Sequence, residues 1–256
     1  MDPAGLAGLL ALAAVAAYVQ TLTGFAFGLI MMGGVGLTGL LDLPDAAVLV
    51  SCLTFINAAQ VLLKGWRDIA AREFVPIIFS SVIALFIGYW LLGVLAAASI
   101  DWLKLVLGVV IVASSIQLAL KPAPLAEPSS VPSFLFFGAI AGLMGGLFST
   151  AGPPLVYHLY RQPLRPAAIR ETLVAVFAAN AIIRLGVVAS AGHMPAAGFW
   201  WGLLSVPVVI ALTFAAKRWP PPLSYFALRR LAFALLLISG LSLAVPALIK
   251  IIGGIS

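Results

Sequence analysis

The chain has 256 residues, of which 63% are hydrophobic and only 9% charged, and its formal net charge is +6. A soluble domain carries roughly 25% charged residues, so no water-facing surface can be built from this composition, whose mean hydropathy is +1.19. The single cysteine, Cys52, excludes an internal disulfide and a thiolate metal cluster, and reads as a small apolar helix residue.

A bilayer-crossing helix needs about 20 mostly apolar residues. Such runs cover Gly5–Leu41, Ala46–Leu63, Phe74–Ala97, Trp102–Leu120, Phe134–Tyr160, Ala167–Ala191, Phe199–Ala216 and Tyr225–Ile249. Continuous rather than alternating hydrophobicity points to helices and not to a β-barrel, so the expected fold is an all-α, polytopic helical membrane protein. No basic segment precedes the first run, which is expected to stay in the mature chain. The first and fifth runs are too long for one simple span. Each is interrupted by polar residues and glycine, at Gln20-Thr21-Leu22-Thr23-Gly24 and at Ser149-Thr150-Ala151-Gly152-Pro153-Pro154, and each is expected to turn back on itself. Prolines from Pro122 to Pro132 prevent helix and read as a linker. The chain then divides into a first membrane repeat (1–121), a Pro-rich linker (122–132) and a second repeat (133–256).

The halves resemble each other: Thr23-Gly24 answers Thr150-Ala151-Gly152, Asn57 answers Asn180, Pro76 answers Pro207, and Lys104 answers Arg229 or Arg230. If each interrupted run is a hairpin followed by three spans, each half has an odd number of segments and the second lies inverted. With the N-terminus outside, Lys64, Arg67, Arg72, Lys121, Arg161, Arg165, Arg170, Lys217, Arg218, Arg229 and Arg230 all gather at the cytoplasmic face, leaving Lys104 and Lys250 outside. Single spans instead of hairpins would scatter these cations over both faces, against the positive-inside bias. This distribution also accounts for the net charge without invoking nucleic acid.

Inverted repeats around broken helices recur in secondary transporters, whose sites lie near the midplane. A helix that starts at a break presents free N–H groups and a partial positive charge, which suits an anion. The residues placed at such a substrate site are Gln20, Thr21, Thr23, Gly24, Ser149, Thr150 and Gly152 at the breaks, with Asn57, Asn180 and Arg184 in the following runs. Each has a plainer reading: small residues pack helices, the two asparagines glue them together, and Arg184 snorkels to the outer interface. Arg184 is the cation most deeply embedded in an apolar run and follows Asn180 by one helical turn. His158 and His193 lack metal-ligand neighbours, and no acidic residue falls within a span: Glu171 sits at a helix end. Neither a nucleotide-binding motif nor a nucleophile–base pair is visible, so no enzyme activity, metal or cofactor is expected. Most tryptophans fall near span ends, as interfacial anchors do.

The order of Gly24-Phe25-Ala26-Phe27-Gly28, Asn57, a proline-rich centre and Gly142-Leu143-Met144-Gly145-Gly146-Leu147-Phe148-Ser149-Thr150-Ala151-Gly152-Pro153-Pro154 resembles the TauE/SafE family of sulfite exporters. The resemblance covers nearly the whole chain. It implies an inner-membrane carrier that exports sulfite or a small organosulfonate such as sulfoacetate, with the lipid bilayer and a small anion as its partners. An anion channel, or a carrier for another small carboxylate or inorganic anion, fits the same breaks, and the sequence leaves assembly into a homo-oligomer open.

Overall fold

The computed structural model describes residues 2–119, 125–150, 152–192, 195, 197–219 and 225–253, excepting the side chains of 118–119, 225–232 and 235. Ala151, Lys121, His193 and the side chains of Arg229 and Arg230 lie outside the described residues. The described residues form an all-helical bundle without strands: α1 (Pro3–Thr23), α2 (Phe27–Thr38), α3 (Leu43–Gly65), α4 (Ala71–Ala98), α5 (Ile100–Ala119), α6 (Val131–Phe148), α7 (Pro153–Tyr160), α8 (Pro166–Ser190), α9 (Ala197–Gly202), α10 (Ser205–Arg218) and α11 (Tyr225–Ile252). Among the described residues, seven segments are long and apolar enough to cross a membrane, namely α1, α3, α4, α5, α6, α8 and the α9–α10 pair.

Local chemistry sets the ends. The Asp2 carboxylate accepts from the Gly5 amide at 3.1 Å, and Pro3 opens α1 without wasting a donor. Gly24, at φ 82°, closes α1 with its amide on the Gln20 carbonyl. The first long apolar run thus breaks where the sequence placed the break, as does the fifth, at Ser149–Gly152. One break was not foreseen. The run Phe199–Ala216 is two helices, because Pro207 has no N–H to give the Leu203 carbonyl and its ring crowds that group. α6 starts at Val131, inside the stretch read as linker, and residues just before it are tied down by Gln162, whose side chain bonds the Ser129 amide and hydroxyl.

Small residues let the helices approach. On α6, Gly138, Gly142 and Gly146 recur every four residues and lie against the backbone of α4 at Ile77, Ser81 and Leu85; a Cβ at any of them would collide with a carbonyl. Gly138 faces Ile77 and Gly146 faces Gly88, so α4 and α6 run parallel. α3 and α8 run antiparallel, since Ser51 meets Arg184 while Gly65 abuts Glu171. α5 and α11 are also antiparallel: Gly108 lies on Ala244, Gly240 on Val112, and Asp101 pairs with Lys250 at 3.8 Å. α10 packs on α1 and α3, as α4 packs on α6 and α8.

Charge divides the two ends. Arg165 pairs with Asp68 at 3.0 Å, Arg170 with Glu171 at 2.7 Å, and the Lys217 ammonium donates to the Gln60 carbonyl at 2.8 Å, all at one end. Lys104 and Lys250 border a pocket with Asp101 at the other. Trp66, Trp90, Trp200, Trp201 and Trp219 are exposed on the bundle surface, as anchors in a bilayer interface would be.

Candidate functional site

Both helix breaks line one cavity of about 20 Å³, close to the space one water needs. Gln20, Phe25, Ala26, Gly28 and Leu29 come from the first break, Ser149, Thr150, Gly152 and Pro153 from the second, and Gly145, Thr54 and Asn180 from α6, α3 and α8. The two breaks touch. A Cβ on Gly28 would stand 2.8 Å from the Ser149 carbonyl oxygen and 2.9 Å from the Thr150 Cβ, so only glycine permits this approach. Ala26 (φ 83°) and Ser149 (φ 57°) hold left-handed backbone without being glycine, a strain that concentrates at the cavity wall.

The polar groups divide into satisfied and unsatisfied. Asn57 is saturated: its Oδ1 accepts from Gln20 Nε2 at 3.0 Å, and its Nδ2 donates to Thr21 Oγ1 at 3.0 Å, Thr213 Oγ1 at 2.7 Å and the Ala17 carbonyl at 3.4 Å. Gln20 Oε1 in turn accepts the Phe27 amide at 3.2 Å, so this network pins α1, α3, α10 and the start of α2 together. Thr21 and Thr23 return their hydroxyl protons to the Ala17 and Val19 carbonyls. Gly24 is closed off by the Arg170 side chain, and Tyr160 donates to the Thr23 carbonyl at 3.0 Å. Thr21, Thr23, Gly24 and Asn57 therefore build the first break from behind and do not line the cavity.

Asn180 is the opposite case. Its Oδ1 accepts from Ser81 at 2.9 Å, but its Nδ2 has no partner, although the residue is 4% exposed. The Thr54 hydroxyl, equally buried, also has none. Sequence reading missed Thr54; its place one turn before Asn57 on α3 was the available signal. Buried polar groups left unpaired are costly, and two of them, Thr54 Oγ1 and Asn180 Nδ2, belong to residues that line the same cavity.

The helix starts contribute unequally. In α2 the first-turn amides of Gly28 and Leu29 have no intrahelical acceptor, and both residues border the cavity. α7 begins with Pro153-Pro154, which have no N–H, and the Leu155 amide is taken by the Gly152 carbonyl at 3.2 Å. The second break thus offers its dipole and the Thr150 hydroxyl rather than free amides, a difference from the expectation that both breaks would supply N–H donors.

Arg184 does not snorkel: it is 1% exposed, with Nε on the Gly146 carbonyl at 3.2 Å and Nη1 3.5 Å from Ser51 Oγ. It lies just beyond the central cavity, separated from it by a hydrogen bond between Ser51 and Ser149. His158 stacks on Phe137 at 4.2 Å and meets the edge of Phe134 at 5.0 Å, a packing role. Glu171, near the start of α8, is 2% exposed, with one oxygen on Arg170 and the other unpaired.

Comparison with known proteins now bears on this geometry. The sulfite exporter TauE/SafE family model matches residues 9–243. The chain belongs to that family. A probable sulfite/organosulfonate exporter TauE from Cupriavidus necator is 38% identical over 95% of both chains. A probable inner membrane transporter protein TsaS from Comamonas testosteroni is 30% identical over 82% of both. No solved structure matches. The protein is a membrane transporter of this family, and its relatives are transporters rather than enzymes.

Proposed function

We propose that this carrier exports a small oxyanion, sulfite or the sulfonate head of an organosulfonate, through the cavity between the two helix breaks. The observation that carries the reading is the pair of unpartnered buried groups, Asn180 Nδ2 and Thr54 Oγ1, on residues that line one cavity with Gly28 and Leu29 from the first turn of α2. Neutral donors at a helix N-terminus suit an anion that must also be released. The small volume favours a compact head group. The names carried by the relatives, sulfite/organosulfonate exporter and inner membrane transporter, favour the same substrate and an inner-membrane location.

The two halves act as inverted repeats. Exchanging α1 to α5 for α6, α7, α8, α10 and α11 maps neighbours onto neighbours: α4 on α6 becomes α10 on α1, and the self-paired α3–α8 and α5–α11 contacts are antiparallel. Asn57–Thr213 and Asn180–Ser81 are corresponding bonds between the halves. The end rich in Arg and Lys is cytoplasmic, so α1 enters from outside. Rocking of the halves about the cavity alternates access, and an inside-negative potential drives an anion outward by about 2.3 kcal/mol per charge per 100 mV.

Efflux of sulfite and sulfoacetate from proteoliposomes tests this. Thr54→Val keeps shape and removes only the hydroxyl, and should slow sulfite efflux about tenfold, the worth of one hydrogen bond to an anion. Efflux at the wild-type rate would remove the cavity from the transport path. Single-channel currents would replace the carrier with a channel.

A further inference from the structure

We infer that Arg184 and the vestibule it borders form a second anion station, outside the central cavity, which receives the exported oxyanion before it leaves. The inference rests on the central-cavity reading for the anion's identity and direction.

Arg184 is a fully buried guanidinium with no carboxylate within ion-pair distance among the described residues. Its partners are neutral: the Gly146 carbonyl, the Ser51 hydroxyl and the face of Tyr89, whose ring centre is 5.8 Å away. A guanidinium carries five N–H donors in a planar fork that matches two oxygens of an oxyanion, and these contacts use only two of them. A cation kept inside an apolar bundle without a counter-ion marks a place for a transient anion.

The surroundings give that anion room. Arg184 lines a vestibule of about 620 Å³ shared with Val48, Tyr89, Trp90, Gly93 and Asp45. The one carboxylate there, Asp45, sits six residues before Ser51 on α3, about 9 Å nearer the outer end. An anion held at Arg184 thus opens onto a wide space, an arrangement that favours release over retention. Between the stations stands the Ser51–Ser149 hydrogen bond. Ser149 lines the central cavity and Ser51 touches Arg184, so parting these two hydroxyls connects the compartments directly. The vestibule also has the volume for an organic tail that the central cavity lacks.

Calorimetric titration of the purified full-length chain in detergent, with sulfite as probe, tests the proposal. Wild type should bind two anions, and Arg184→Gln one. Arg184→Lys, which keeps the charge without the fork, should retain a weakened second site. Gly93→Asp leaves Arg184 untouched and should weaken the second site about tenfold by like-charge repulsion; an added Cβ at 93 meets nothing within 4 Å, so this variant serves where Arg184→Gln fails to fold. Thr54→Val should weaken the other site alone. One anion per wild-type chain, or two sites unchanged in both Arg184→Gln and Gly93→Asp, overturns the second station. If Thr54→Val changes neither site while Arg184→Gln removes one, the central-cavity reading fails and the Arg184 station stands.

Discussion

Asn57 and Asn180 occupy corresponding positions in their helices, yet their substitution by leucine should have opposite consequences. Asn57→Leu breaks four hydrogen bonds, to Gln20, Thr21, Thr213 and the Ala17 carbonyl. Side-chain bonds between membrane helices average about 0.6 kcal/mol each, so the loss is roughly 2.5 kcal/mol, with more added because Gln20 Nε2 is left buried and unpaired. Asn180→Leu breaks one bond, to Ser81, whose hydroxyl can turn back to the carbonyl one helical turn before it, and removes a buried amide that had no partner, so its net cost should stay below about 1 kcal/mol. At about 2–4 °C per kcal/mol, the first variant should unfold roughly 5–10 °C below wild type in detergent and the second within about 4 °C. Transport reverses the order of severity. Asn180→Leu loses a hydrogen bond to a charged ligand, about 1.5–3 kcal/mol, and sulfite efflux at limiting concentration should fall by about 10- to 100-fold. Equal destabilisation by the two substitutions, or efflux from Asn180→Leu within twofold of wild type, would refute the division into a structural and a ligand-facing asparagine.

Two further substitutions probe the approach of the breaks. Gly28→Ala drives a methyl into the Ser149 carbonyl and Thr150, backbone that cannot yield cheaply, and should cost about 1–3 kcal/mol and abolish efflux, whereas Gly186→Ala, where an added Cβ meets nothing within 4 Å, should change neither melting nor efflux. Gly142→Val wedges α6 away from Ser81 on α4; thermal melting should fall by an amount equivalent to about 2 kcal/mol or more, and an unchanged melting temperature would mean these helices do not pack through their glycines.

Much of this architecture was legible in the residues alone because a bilayer leaves few options. Apolar runs of spanning length must be helices, since lipid satisfies no backbone group, and a run too long for one span with Gly24 or Gly152-Pro153-Pro154 inside it must bend there. The break before Pro207 was equally encoded but sat inside an unremarkable apolar run. Only the tertiary structure decided which polar side chains are spent on the protein itself. Asn57 and Asn180 look alike in sequence, and one-dimensional spacing says nothing about whether a neighbour such as Gln20, Thr21 or Thr213 consumes the amide. For the same reason spacing alone does not single out Thr54 and groups Arg184 with the residues of the breaks, whereas the fold puts Thr54 in the cavity lining and sets Arg184 behind the Ser51–Ser149 contact. Hydrophobicity is a property each residue carries with it, whereas an unpaired hydrogen bond exists only relative to everything folded around it.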